Sequence, residues 1–586
     1  MSKNNIIWIL LDGVRNYPTP NDPERMGKPE IIDKIAQDSV EFTEATTSAT
    51  STVMSVSSFM TSVPSYYLGR NLDDLKLDKS NFESIANILE KEGYNIYNVN
   101  VSYDLRRDYW KTFLRPVDKK FWPKECKTME HWSNDPLNKI IFKMLDNGKL
   151  MPPFLLYVHY NFRRDYKCND RVQELIQRIK KESLYDESII IMHSDHGMPD
   201  AERRDYFKWL DKRGLYFNRH DLIMTDDNIC VPMVIKYPGC EAGKKIDTTV
   251  GTIDIVPTVL SLLGIEYGPK KAYGKSFRGV NLLPLINEEN IEYFRNRKIR
   301  TDTRYIAQTD KMTSIRGSGY KYIYYRDIPG EDNEQFIDLK KDPFETENLI
   351  NTSDQNYIKL INEYKNEYQR QEEDSIQFQF EFLSRKFIRF LDNSKISKIE
   401  INKILVIGSC NYWFMGTVAE ICKKYFIELE QYDLFLERDN PIEYHSLNNL
   451  GYTNNIFAHH SFNAKELKKD YLSTMEDYDL CLIPLTNYKK DIEQAKNKST
   501  DGEMDFIQPQ APINARLLND YKEIFKIEKI IKAKHKIYLD YNCNFYQYPK
   551  SIILKRYFKK ITSKSDIYMS KPTELFKDIG RLFYRK

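Results

Sequence analysis

Asp195 and His196 stand side by side in Ser194-Asp195-His196-Gly197, one residue beyond the apolar run Ser188-Ile189-Ile190-Ile191-Met192. That run reads as a buried parallel strand, and side chains leaving its C-terminal end enter the crevice where open α/β sheets bind ligands. A carboxylate and an imidazole there can hold a divalent metal, with Gly197 letting the backbone turn away; an ordinary turn has the same letters. Asp12 occupies the matching place after the apolar run Ile6–Leu11, in Leu11-Asp12-Gly13-Val14-Arg15. Two carboxylates and an imidazole suit Mn²⁺ or Zn²⁺, with Mg²⁺ as a third option, better than Ca²⁺ and its all-oxygen shell. An open coordination position would then take a nucleophile or a substrate oxygen. The stretch Phe42–Thr61 is crowded with hydroxyls and then turns apolar. It reads either as a loop with a helix cap or as the source of a hydroxyl that the metal and a helix N-terminus would activate.

The elements that must carry these residues follow from pattern. Apolar runs at Ile6–Leu11, Tyr94–Asn100, Phe154–His159, Ser188–Met192 and Val231–Lys236 alternate with helical stretches at Asn81–Glu92 and Asp170–Glu182. This is the signature of a sheet covered on both faces. Lys321–Tyr325 and Gln335–Leu339 form a small antiparallel addition. Residues 357–398 read as a charged helical connector between a catalytic domain at 1–356 and a second unit at 399–586. In that unit Lys403–Ile407 leads into Gly408-Ser409-Cys410, a helix is expected at Thr417–Tyr425, and strands follow at Asp477–Pro484 and His535–Leu539. The expected fold is α/β: a mixed sheet sandwiched by helices, plus a smaller Rossmann-like C-terminal domain. Gly408 stands alone without the Gly-x-Gly-x-x-Gly turn, so nucleotide binding does not follow.

Among 586 residues, 88 basic and 85 acidic side chains nearly cancel, which argues against a nucleic-acid partner. Eight scattered cysteines lack a Cys-x-x-Cys pair and fit a reducing compartment. The apolar run at Ile6–Leu11 is too short for a signal peptide or a membrane span, so the expectation is a cytoplasmic protein. The basic, aromatic tail Lys555–Lys586 offers a possible peripheral contact with the inner membrane face, or is simply a solvated helix.

In order, residues 4–350 resemble the sulfatase branch of the alkaline phosphatase superfamily. The resemblance is carried by Asp12, by Phe42-Thr43-Glu44-Ala45 running on to Thr61-Ser62, and by Leu184-Tyr185-Asp186 through Gly197. It continues through Val231-Pro232-Met233, Asp254-Ile255-Val256-Pro257-Thr258, Gly279 to Leu285, Phe336-Ile337-Asp338-Leu339, Asp342-Pro343 and Asn348-Leu349. It implies an alkaline phosphatase-like fold and one divalent metal held by Asp12, Asp195, His196 and the nucleophile. Sulfatases place an oxidisable Cys or Ser within Cys/Ser-x-Pro-x-Arg; the register puts Thr52 there, followed by Val53-Met54-Ser55-Val56. Threonine carries an extra methyl on the carbon that would become the aldehyde, so formylglycine cannot form in the usual way. Gly13 also stands where sulfatases tend to have a second aspartate.

A threonine nucleophile is similar instead to that of lipoteichoic acid synthases and phosphoethanolamine transferases. That likeness implies a metal-dependent phosphotransferase: Thr52 accepts a phosphoryl-containing group from a phosphorylated or nucleotide-activated donor and passes it to an alcohol, with a capsule or teichoic-type glycan precursor as acceptor. Phosphodiester or phosphonate monoester hydrolysis is the alternative, followed by a sulfatase and a non-catalytic binding protein. Carried over on the same register, His220 falls at an active-site lysine position and Arg163 near a family histidine, with His159 and Arg164 as rivals. Arg15 either supports a metal carboxylate or forms a structural salt bridge.

Overall fold

A computed structural model describes residues 3–16, 28–68, 82–100, 135–162, 168–199, 223–303, 312–325, 333–393 and 401–407, together with five later strands. The chain divides into two units, Met1–Glu372 and Glu373–Lys586.

The first unit is built on a seven-stranded sheet. In chain order its strands, with a short outlying pair, are β1 (Ile6–Asp12), β2 (Val40–Phe42), β3 (Ala45–Thr46), β4 (Asn95–Asn100), β5 (Phe154–Asn161), β6 (Ile189–His193), β7 (Met233–Lys236), β8 (Lys244–Ile246) and β9 (Val250–Gly251). The sheet order is β4-β5-β1-β6-β7-β2-β8, and β3 pairs with β9 apart from it. Strands β4, β5, β1 and β6 run parallel, whereas β7 is antiparallel to β6 and to β2. The expected mixed sheet is therefore present.

Every residue of β1 is buried, because both faces of this central strand are covered. Ile7, Ile9 and Leu11 pack into a core shared with three helices, α1 (Glu30–Ala36), α3 (Asp135–Asp146) and α4 (Cys168–Lys181). In α4, Cys168, Val172, Leu175, Ile176 and Ile179 form the buried stripe that the helical spacing predicts. On the opposite face Trp8 lies 5.5 Å from the Phe59 ring of α2 (Thr52–Thr61) and 6.5 Å from Tyr157. Side chains alternate along a strand, so Asp12 shares the face of Trp8 and points to the α2 side of the sheet.

A second sheet comprises β10 (Ile299–Asp302), β11 (Met312–Gly317), β12 (Tyr320–Tyr325) and β13 (Glu334–Asp338), all antiparallel. It is twice as wide as the two-stranded addition read from sequence, because β10 and β11 are too polar to stand out. Ile315, Tyr322 and Phe336 pack on Ile361, Tyr364 and Tyr368 of the long helix α5 (Gln355–Asn393). Asp254 of the Asp-x-x-Pro-Thr segment is architectural. It pairs with Arg297 at 2.8 and 3.0 Å and accepts the Gly251 and Val280 amides at 2.8 Å.

The second unit contains β14 (Lys403–Ile407), β15 (Glu428–Phe435), β16 (Phe457–Asn463), β17 (Tyr478–Pro484), β18 (Ala533–Leu539) and β19 (Phe545–Gln547). Their order, β16-β15-β14-β17-β18-β19, is parallel through β18 with β19 antiparallel, which is the strand order of the Rossmann-like domain expected. Gly408, the Thr417–Tyr425 helix and the basic tail lie outside the described residues. Among the described residues no helix is long and apolar enough to cross a membrane.

Candidate metal centre

Asp12 ends β1, and Asp195 and His196 follow β6, its parallel neighbour, so the two carboxylates leave the sheet at the same edge. Ser194 ties the two strand ends together. Its Oγ accepts the Val14 amide at 3.0 Å and lies within hydrogen-bond reach of the Leu11 and His196 carbonyls. Gly13, whose φ of 78° favours glycine, turns the chain so that its N–H reaches Asp195 Oδ1 at 3.2 Å. From the other side Ser55, in the first turn of α2, donates to the Asp195 carbonyl at 2.7 Å. That bond sets the N-terminus of α2 against the strand ends and brings Thr52 Oγ1 to 3.2 Å from His196 Nε2.

Asp12, Asp195 and His196 are all buried, and one ligand atom of each lies within 4.8 Å of the others. His196 Nε2 is 3.5 Å from Asp195 Oδ2 and 3.9 Å from Asp12 Oδ1. Its Nδ1 is 2.7 Å from the Gly197 carbonyl, which can only accept, so Nδ1 carries the proton and the Nε2 lone pair faces the carboxylates. This is the tautomer a metal-ligating histidine needs, fixed by the bond its other nitrogen makes. Burial pushes the Asp195 carboxyl above its ordinary value; His196 pulls it down and Asp12 pushes it up again. Asp195 Oδ2 is buried with no hydrogen-bond partner. A cation resolves both features, and the two-oxygen, one-nitrogen donor set fits a divalent ion.

His159, on β5, is the neighbour that sequence reasoning weighed only as a rival anion ligand. Its Nε2 lies 3.4 Å from Asp12 Oδ2, and its Nδ1 lies 3.3 Å from Tyr157 Oη. Facing a carboxylate, Nε2 is the protonated nitrogen, and the Tyr157 hydroxyl donates to Nδ1; burial holds that phenol neutral. His159 thus orients Asp12. Arg15 is buried and donates to the Met198 carbonyl, joining the segments after β1 and β6. His220, Arg163 and Arg164 lie outside the described residues.

Gly197 works differently from the expectation that it provides a sharp turn. A Cβ there would meet the Asp227 carbonyl oxygen at 2.2 Å, so its place is a close approach between two backbones. The Gly197 amide donates to the Asn228 carbonyl at 2.7 Å, pressing the segment after His196 onto the helical turn Asp226–Ile229. That turn is held by a buried charge network. Asp226 accepts from Arg316 at 2.8 to 3.1 Å and from Lys321 at 2.8 Å, while Lys321 also pairs with Glu345 and Arg316 with Glu44. The two cations hold the Asp226 carboxyl well below the usual carboxylate range against its desolvation. No local sequence signal marks this network, since its members come from distant elements.

With the geometry established, comparison with known proteins bears on the chemistry. Residues 4–162 match the sulfatase family model, and residues 207–374 match the model for the C-terminal part of N-sulphoglucosamine sulphohydrolase. Choline-sulfatase of Rhizobium meliloti is 29% identical over 192 residues, covering 32% of this chain and 33% of that protein. Arylsulfatase K of Mus musculus is 27% identical over 181 residues, 30% of this chain and 29% of the relative. These alignments span about a third of each relative. Among solved structures, phosphonate monoester hydrolase of Agrobacterium radiobacter gives a TM-score of 0.47 at 16% identity, covering 64% of this chain and 96% of that one. A 2-O GAG sulfatase gives 0.47 at 17% identity, with 64% and 94% covered.

These matches overturn the phosphotransferase expectation, and with it the glycan acceptor and the capsule role. Both family models and the curated relatives are sulfatases, whereas the transferase reading rested on the residue type of Thr52. A hydroxyl nucleophile identifies the attacking atom and leaves the attacked one open. What the family matches do establish is that the chain carries sulfatase-family domains at residues 4–162 and 207–374.

Proposed function

We propose that the chain is a metal-dependent sulfate-ester hydrolase in which the unmodified Thr52 hydroxyl is the nucleophile. The observation that carries this reading is the buried Asp12–Asp195–His196 cluster with Thr52 Oγ1 3.2 Å from His196 Nε2. Asp12, Asp195 and His196 would hold one divalent ion, Mn²⁺ or Zn²⁺ by donor type, which when bound supplies positive charge to lower the hydroxyl's pKa and to offset charge on the ester oxygens. Asp195 and Asp12 keep their carboxylates on the face of the sheet that α2 covers. His159 orients Asp12, and the Gly13 amide orients Asp195.

Thr52 gives up its hydroxyl proton and forms the new oxygen–sulfur bond as the sulfur–oxygen bond to the alcohol breaks, and the departing alcohol gains one proton in exchange. Threonine has a single oxygen on its β-carbon, so the sulfo-threonine must be resolved by water attacking sulfur, which releases sulfate and restores the hydroxyl. Choline sulfate and an aryl sulfate, suggested by the names of the relatives, are the first substrates to assay.

The test is steady-state release of sulfate from both esters by the Mn²⁺- and Zn²⁺-loaded chain and by Thr52→Ala. Turnover that falls about a thousandfold or more in Thr52→Ala supports the assignment. Absence of sulfate release from every ester, or release by Thr52→Ala at the wild-type rate, overturns it.

A further inference from the structure

Helix α2 starts at Thr52 after Ser51, whose backbone is extended as an N-cap residue's should be, yet no side chain caps the helix. The first bond of its ladder runs from the Ser55 amide to the Ser51 carbonyl at 2.9 Å, so the Val53 and Met54 amides precede it. Ser51 is only 7% exposed, and its Oγ has no hydrogen-bond partner. A serine in this position ordinarily accepts one of those amides; here donor amides and a buried hydroxyl are left together at one helix end. That end opens onto the metal cluster, because Thr52 Oγ1 is 3.2 Å from His196 Nε2 and Ser55 holds the Asp195 carbonyl.

The sequence register sharpens this arrangement. In Thr52-Val53-Met54-Ser55-Val56, methionine stands where the sulfatase motif has proline, so an N–H is present that proline lacks. Val56, where that motif has arginine, is fully buried and uncharged.

We propose that the Val53 and Met54 amides and the Ser51 hydroxyl form an oxyanion cradle that binds a non-bridging oxygen of the sulfuryl group. This deepens the hydrolase reading and rests on it. Uncapped amides at a helix N-terminus point at a ligand with the positive end of the helix dipole behind them, and need no side-chain cation to bind one negative oxygen.

Three single variants of the Mn²⁺-loaded full chain test the cradle by calorimetric titration of inorganic sulfate, with Mn²⁺ affinity measured alongside. Met54→Pro removes one amide at a position whose N–H is outside the helix ladder, Met54→Ala trims the side chain and keeps the amide, and Ser51→Ala removes the hydroxyl. Sulfate affinity is expected to fall about fivefold to tenfold in Met54→Pro and in Ser51→Ala and to stay within twofold in Met54→Ala, with Mn²⁺ affinity unchanged in all three. Wild-type sulfate affinity in both Met54→Pro and Ser51→Ala overturns the cradle, as does a Met54→Ala loss as large as that of Met54→Pro. If Met54→Pro fails to fold, Ser51→Ala alone decides. Ester turnover run in parallel separates the two proposals. Turnover without an effect of these variants on sulfate binding refutes the cradle alone. Sulfate binding weakened as expected, in a chain that hydrolyses no sulfate ester, refutes the hydrolase reading alone.

Discussion

Gly197→Ala should damage the metal centre without touching any ligand. The added Cβ would lie 2.2 Å from the Asp227 carbonyl oxygen, 3.0 Å from its carbon and 3.1 Å from Asn228 Cα, against 3.4 Å for ordinary contact. All three atoms are backbone, so no side chain can rotate out of the way. The turn that carries them cannot easily retreat, because Asp226 is fixed by Arg316 and Lys321 and its own amide donates to Glu345 at 2.9 Å. Retreat would also break the 2.7 Å bond from the Gly197 amide to Asn228. Overpacking of about 1–3 kcal/mol and a lost hydrogen bond of about 1 kcal/mol give a destabilisation of roughly 2–4 kcal/mol. The strand-end segment must yield by the better part of an ångström, and His196 moves with it. Displacement on that scale should weaken divalent metal binding by at least about tenfold. Urea unfolding of the metal-free protein and calorimetric titration of Mn²⁺ measure the two effects. Wild-type values for both would refute the claim that this backbone contact positions His196.

The other predictions concern charge and orientation. Asp195→Asn removes a buried carboxylate whose charged form the fold disfavours, so the metal-free variant should be at least as stable as wild type near neutral pH. It should also lose the stabilisation of about 2.7 kcal/mol that a metal at a hundred times its dissociation constant gives wild type, as thermal melts with and without Mn²⁺ would show. His159→Ala leaves Asp12 Oδ2 without its imidazole neighbour and should weaken Mn²⁺ by about tenfold or more in calorimetry while the three ligands remain. Asp226 has a folded pKa below its ordinary value of 3.8, so the unfolded chain takes up the proton first as pH falls. Its contribution is therefore complete above about pH 4 and lost as pH falls through the folded value. Asp226→Asn should cost about 3–5 kcal/mol at pH 7 by leaving Arg316 and Lys321 short of their shared partner, and should flatten the acid limb of a stability–pH profile obtained by urea unfolding.

What could be read from sequence follows from where burial leaves a mark. Strands β1 and β6 are covered on both faces and appear as unbroken apolar runs, so Asp12 and Asp195 at their ends could be found from pattern alone. Strand β2 has three residues and β8 reads Lys244-Lys245-Ile246, too short and too polar to register. Strand β10 hides for another reason: Arg300 and Asp302 are buried in it, paired with each other at 2.9 and 3.0 Å, so its polarity gives no sign of burial. The letter for glycine is equally silent on whether it serves a left-handed turn, as at Gly13, or a close approach, as at Gly197. The uncapped end of α2 was concealed by its own composition, since Ser51 and Thr52 look like ordinary capping residues.

The side chain of Thr52 also could not say which ester the site takes, because sulfate and phosphate esters both present a tetrahedral centre ringed with oxygens. The two differ in charge, a sulfate monoester bringing one negative charge and a phosphate monoester dianion two. With Nε2 ligating a divalent cation His196 would be neutral, and the carboxylates of Asp12 and Asp195 would formally cancel that cation. The N-terminus of α2 then adds a positive partial charge of roughly half a unit beside Thr52. Val56, at the motif's arginine position, brings no charge, whereas Arg15 keeps its full positive charge while donating to the Met198 carbonyl.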